Sequence, residues 1–125
     1  MKPIPSGLRT TFLVHGIVGL VFGLIYLLIP AQFGKAVNWP MPDVGAYRLI
    51  GAAILAFTAS SWLAYREKVW DRVEIVVALE IVWTVLATLV MLWALLFAGM
   101  PAIGWLNTVI MAAFAVAFGY FYSRR

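Results

Sequence analysis

Long uninterrupted apolar runs, separated by short polar or proline-bearing breaks, set the pattern of this chain. The first run, Phe12 to Ile29, holds one histidine and no formal charge, and it stops at Pro30. Eighteen helical residues rise about 27 Å, close to the roughly 30 Å hydrocarbon thickness of a bilayer. Three more runs follow at about 46–65, 73–98 and 102–122. The third is the longest and predicts a tilted or projecting helix. The pattern predicts an all-α polytopic membrane protein, with four transmembrane helices in one antiparallel bundle and one membrane domain over residues 1–125.

The breaks differ in kind. Residues 31–45 (AQFGKAVNWPMPDVG) hold two prolines, two glycines, Asn38 and Asp43, and predict an ordered or surface-lying loop with Trp39 as an interfacial anchor. Residues 66–72 (REKVWDR) predict a short charged hairpin, and Gly99, Met100 and Pro101 a tight turn that makes the last two helices antiparallel neighbours. A cleavable signal peptide is the competing reading of the first run, since Lys2 and Arg9 precede it. The run exceeds the usual 7–15 apolar residues of such a segment and no Ala-x-Ala pattern follows it, so a retained helix is expected.

Composition carries the argument from spans to a membrane. Of the 125 residues 65% are hydrophobic and 11% charged, against about 45–50% and about 25% in soluble domains. A soluble domain of this size cannot bury that much apolar surface, so lipid or partner subunits must cover it. The nine basic residues give a net charge of +4. They fall between the apolar runs and do not form a nucleic-acid patch; no nucleic-acid partner is expected. With both ends cytoplasmic, the inner side carries Lys2, Arg9, Arg66, Lys68, Arg72, Arg124 and Arg125, and the outer side only Lys35 and Arg48. That bias predicts cytoplasmic termini in a multi-pass protein of the cell membrane. Aromatic belts agree, with Trp39, Tyr47, Trp93 and Trp105 at the outer boundary and Trp62, Tyr65, Trp70, Tyr120 and Tyr122 at the inner.

Candidate chemistry is sparse. Without cysteine the chain has no disulfide, thiolate metal site or covalent haem attachment, and His15 is the only histidine. No metal, cofactor or catalytic residue is indicated. The intramembrane polar residues sort into two layers, His15, Ser60, Ser61 and Glu80 in the inner half and Arg48 and Asn107 in the outer, with Asp43 above them. An isolated carboxylate within a membrane helix costs roughly 2.5–3.5 kcal/mol on insertion scales. Glu80 is therefore expected to face protein or water, or to carry a proton, at the depth of His15. Thr84 and Thr88 continue its face at spacings of four. The pair reads either as a proton- or cation-handling site or as a pin between the first and third spans.

Arg48 suits a lipid phosphate, a quinone oxygen or another anion, or else a snorkelling residue paired with Asp43, and Asn107 could complete either arrangement. Gly16, Gly19 and Gly23 make a small face on the first helix, Gly19 and Gly23 forming a G-x-x-x-G; Gly104, Thr108, Ala112, Ala115 and Gly119 make another on the fourth. Such faces let helices approach closely, within the bundle or against a second copy. Trp83, close to Glu80, either packs or lines a cavity.

The stretch Tyr47-Arg48-Leu49-Ile50-Gly51-Ala52-Ala53-Ile54-Leu55, opening the second of four short helices and closing in Trp62-Leu63-Ala64-Tyr65-Arg66, resembles the small four-helix DoxX-like membrane proteins and related families. Its local marker is the Arg48-x-x-Gly51 step. The resemblance implies a four-helix bundle and, for some members, an accessory role beside membrane oxidoreductases; it carries over no catalytic residue. The leading expectation is a structural or accessory subunit acting through helix association in a homo-oligomer or larger complex. The alternatives are a small ion-coupled transporter or channel using Glu80 and His15, and a lipid- or quinone-binding component of an oxidoreductase.

Overall fold

A computed structural model describes residues 1–125. The chain is all helical: α1 (Ser6–Leu28), a short α2 (Pro30–Ala36), α3 (Val44–Arg66), a single 3-10 turn at Trp70–Arg72, α4 (Glu74–Phe97) and α5 (Ile103–Ser123). Four of these, α1, α3, α4 and α5, are long and apolar enough to cross a membrane, and only 17–28% of each span is buried within the protein. The remaining apolar surface calls for a cover of lipid or of other chains.

Local chemistry sets the helix ends. The first helix starts six residues before its apolar run, directly after Pro5. The hydroxyls of Thr10 and Thr11 donate to the Ser6 and Gly7 carbonyls one turn back, so the polar first turns satisfy themselves. Pro30 takes the first position of α2, where its missing N–H costs nothing. That helix occupies part of the stretch expected as loop. It closes with Asn38 at φ 57° and with the Trp39 N–H donating to the Gly34 carbonyl at 2.8 Å, a Schellman ending. The Asp43 carboxylate caps α3 by accepting from the Ala46 N–H at 3.1 Å. Gly99, at φ 69°, turns the chain between α4 and α5.

The bundle is built from two tightly packed helix pairs, α1 with α3 and α4 with α5. Glycine makes the first pairing possible. A Cβ on Gly51 would lie 2.6 Å from the Leu27 backbone nitrogen and 2.9 Å from the Gly23 carbonyl oxygen. Gly23 in turn faces Leu55, Gly19 faces the Thr58 hydroxyl, and Gly16 lies under the Trp62 indole. The small face of α1 is therefore occupied by α3 within the chain.

The two pairs meet at the end that carries both termini. There Leu8 and Phe12 of α1, Ala64 of α3, Val73 and Val77 at the start of α4, and Phe114 and Phe118 of α5 form one core with Ile4 and Trp70. Trp70, expected at the interface, is a core residue. The N-terminal segment closes over it: Pro3 pairs with Val69 as an antiparallel bridge, the Ile4 N–H donates to the Lys68 carbonyl at 3.1 Å, and the Trp70 N–H donates to the Lys2 carbonyl at 3.0 Å. Toward the far end a partly open cavity lies between the pairs. Leu89, Val90, Trp93 and Phe97 of α4 and Trp105 and Val109 of α5 are exposed there.

Candidate functional site

Two connected features lie between the helix pairs, a buried polar cluster and a cleft above it. The cluster joins three helices. His15 of α1 sets Nδ1 2.8 Å from the Ser61 hydroxyl of α3 and Nε2 3.0 Å from Oε2 of Glu80 on α4. Glu80 is fully buried, Ser61 likewise, and His15 is 4% exposed. The Ser60 and Ser61 hydroxyls lie 3.4 and 3.5 Å from the other carboxylate oxygen, Oε1. Ser60 also donates to the Phe57 carbonyl at 2.7 Å, which makes that bond its stronger one. Helix α5 contributes no polar atom here. It closes the cluster with rings instead: Phe114 and Phe118 meet the imidazole edge-on, centroids 4.8 and 5.7 Å away.

The contact between His15 and Glu80 is short but not directed. Oε2 has no aligned hydrogen-bond donor, so the ring nitrogen reaches it by proximity more than by orientation. Two proton placements leave the cluster without net charge: imidazolium beside carboxylate, and neutral imidazole beside carboxylic acid. Either spares the bundle a lone buried charge, which would cost several kcal/mol or more. Thr84 and Thr88 continue the face of Glu80, but their hydroxyls donate down their own helix, to the Glu80 and Thr84 carbonyls at 2.6 and 2.7 Å. They make no relay away from the carboxylate.

Above the cluster the parted helix pairs enclose a partly open cavity of about 190 Å³. Eleven of its twelve lining residues are hydrophobic, and the exception is Asn107 of α5. Its walls include Phe22 and Tyr26 from α1, Tyr47 and Ile54 from α3, and Trp83 and Met91 from α4; Trp39 reaches it from the segment after α2. Trp83 lies flat on Phe57, ring centroids 5.1 Å apart and planes 11° from parallel, giving the cavity one planar side. Asn107 and Tyr26 both line this cleft, Asn107 from α5 and Tyr26 from α1. A second cavity of about 30 Å³ shares Phe22, Ile54, Trp83 and Met111 with the first and has His15 in its wall. The smaller cavity lies on the side of the cluster, behind walls it shares with the larger one.

Of the residues singled out in the sequence, the structure brings His15, Ser61, Glu80 and Thr84 together and places Asn107 in the cleft wall. Arg48 is left outside: it is exposed and does not line the cavity. Asp43, its expected partner, is engaged by the Ala46 N–H. The ion pairs are instead His15 with Glu80, Arg72 with Glu67 and Arg125 with Glu74. Gly16, Gly19 and Gly23 serve the α1 and α3 interface. Sequence reasoning missed Tyr26, Tyr47 and Trp39 as cavity residues. Tyr47 and Trp39 read as belt residues, and only the parting of the helix pairs gives them an inward side. Protein-family models, curated proteins and solved structures offer no match to this chain.

Proposed function

We propose that this chain is a membrane-embedded accessory component that holds a lipophilic ligand in the cleft between its two helix pairs. The observation that carries this reading is the 190 Å³ cavity with eleven hydrophobic linings out of twelve. It opens among helices whose outer surfaces already require lipid, so an apolar molecule can enter without crossing water. The resemblance to DoxX-like proteins, some of them accessory to membrane oxidoreductases, supports the accessory role. Orientation belongs to the same proposal. Seven Lys and Arg residues gather at the end with the termini and the α3–α4 connection, against Lys35 and Arg48 at the other, a bias that supports cytoplasmic termini and a cleft in the outer half of the membrane.

The His15–Ser61–Glu80 cluster serves this function as the floor of the cleft. It ties α1, α3 and α4 together where the pairs begin to part. The core of Leu8, Phe12, Val73 and Phe118 lies beneath it, which favours a binding recess over a conduit.

The test is chemical. Protein extracted gently from its native membrane, and an Ala87→Phe variant that fills the cleft from α4, are each stripped with organic solvent and the extracts compared by mass spectrometry. A molecule enriched over bulk lipid with the parent chain, and lost with the variant, is the expected result. Extracts that match bulk lipid for both proteins would overturn the reading. Mass spectrometry of the intact assembly in the same preparation reports the neighbours of an accessory chain.

A further inference from the structure

Resting on that reading of the cleft, we infer the class of its occupant: a lipophilic molecule whose buried part is one neutral ring bearing a hydroxyl or carbonyl oxygen. The oxygen sits at Asn107 and an alkyl tail leads out into lipid.

Charge is settled by the walls. No Lys, Arg, Asp or Glu lines the cavity, so an ionised group brought there would lose its hydration without a partner. The buried part is neutral. Size follows from volume. A dry apolar cavity of about 150 Å³ accepts one benzene molecule, and the cleft, at about 190 Å³, accepts a single six-membered ring with small substituents. The adjoining 30 Å³ recess takes a methyl group or a water, not a second ring.

Shape favours a ring over a saturated chain. Trp83, held flat by its stack on Phe57, offers a planar wall, and Phe22, Tyr26 and Tyr47 add aromatic faces and edges around it. Offset and edge contacts between rings contribute beyond burial alone. Met91 and Met111 adapt to substituents where rigid side chains would not.

The oxygen is placed by the one amide. Asn107 carries two N–H donors and a carbonyl acceptor, more than the one phenol hydroxyl of Tyr26 in the same cavity lining could satisfy. The spare capacity faces an otherwise apolar space, where a ligand hydroxyl or carbonyl satisfies it and an alkyl chain leaves it unused. His15 is not the ligand's partner, because its two nitrogens are turned to Ser61 and Glu80.

The probes are 4-octylphenol and octylbenzene, alike in ring and tail and different by one oxygen. Their binding to the full chain in lipid nanodiscs is followed by titration calorimetry, with Asn107→Leu and Ala87→Phe as variants whose folding is checked by thermal melting. Saturable binding of 4-octylphenol about tenfold tighter than octylbenzene is expected, the preference falling to within about twofold in Asn107→Leu. Binding of both is lost in Ala87→Phe. Equal affinities in the parent chain, both abolished by Ala87→Phe, would overturn the ring oxygen while leaving the cleft as a binding site. Failure of both probes, with a phospholipid brominated in its acyl chain that saturably quenches Trp fluorescence of the parent chain beyond that of Ala87→Phe, would replace the ring by an acyl chain. Failure of all three probes removes the cleft reading itself.

Discussion

Nε2 of His15 on α1 stands 3.0 Å from Oε2 of Glu80 on α4, yet that oxygen has no aligned donor. The pair is held by its surroundings: Ser61 fixes the other ring nitrogen, and Phe114 and Phe118 fix the ring plane. Glu80→Leu strands His15, and His15→Phe strands Glu80, each costing about 1–3 kcal/mol through an unpaired buried polar group. The double variant removes both stranded groups and should lose less than the sum of the singles. Unfolding in detergent micelles measures the cycle. Losses that add to within about 0.5 kcal/mol would show that the two residues do not act as a unit.

The glycines of the α1 and α3 interface predict two different responses to one added methyl group. At Gly51 the new Cβ meets backbone, 2.6 Å from the Leu27 nitrogen, and nothing can yield without moving a helix. At Gly19 it meets the Thr58 hydroxyl, a side-chain atom. Both Gly51→Ala and Gly19→Ala should destabilise by about 1–3 kcal/mol, but Thr58→Ala should rescue only the second. Thermal melts of the three single variants and two doubles decide it; rescue of Gly51→Ala would contradict the backbone contact.

The bridge between Pro3 and Val69 can be trapped covalently. Since the chain has no cysteine, Pro3→Cys with Val69→Cys gives a single possible disulfide, and the pairing brings those positions within bonding range. Mild oxidation should convert nearly all the protein to a faster-migrating band on a non-reducing gel. A population that stays reduced would mean the N-terminal segment does not rest on the α3–α4 connection.

Membrane orientation is checked by reporter fusions after Tyr65 and after Arg125. Both should give cytoplasmic activity, as the distribution of Lys and Arg predicts. Exported activity at either position reverses the proposed sidedness, and with it the leaflet that feeds the cleft.

The helices were legible because each is an apolar run of membrane-spanning length. Glu80 was legible because a carboxylate within such a run must find a partner, and depth alone pointed to His15 and Ser61. What the linear pattern does not contain is the angle between the helix pairs. The cleft exists because the glycines of α1 draw it onto α3 while Phe12, Val77 and Phe118 hold the pairs together at one end only. Trp70 misleads for a related reason. It lies among charged residues and reads as an interfacial anchor, but the N-terminal segment folds over it and makes it core. The short α2 is masked by Gly34 and Pro30, which look like loop residues and act as a close-packed position and a helix start.

The closure of residues 2–4 over residues 68–70 has a bearing on biogenesis. When the first helix leaves the ribosome its N-terminal residues have nothing to bind, because their partners lie beyond the second membrane crossing. The end of the bundle can seal only after the α1 and α3 hairpin is in the bilayer and the start of α4 has emerged, so Trp70 stays exposed to lipid headgroups or insertion factors until then. Sealing of that end is therefore among the late contacts of the fold, since it joins residues on either side of two membrane crossings.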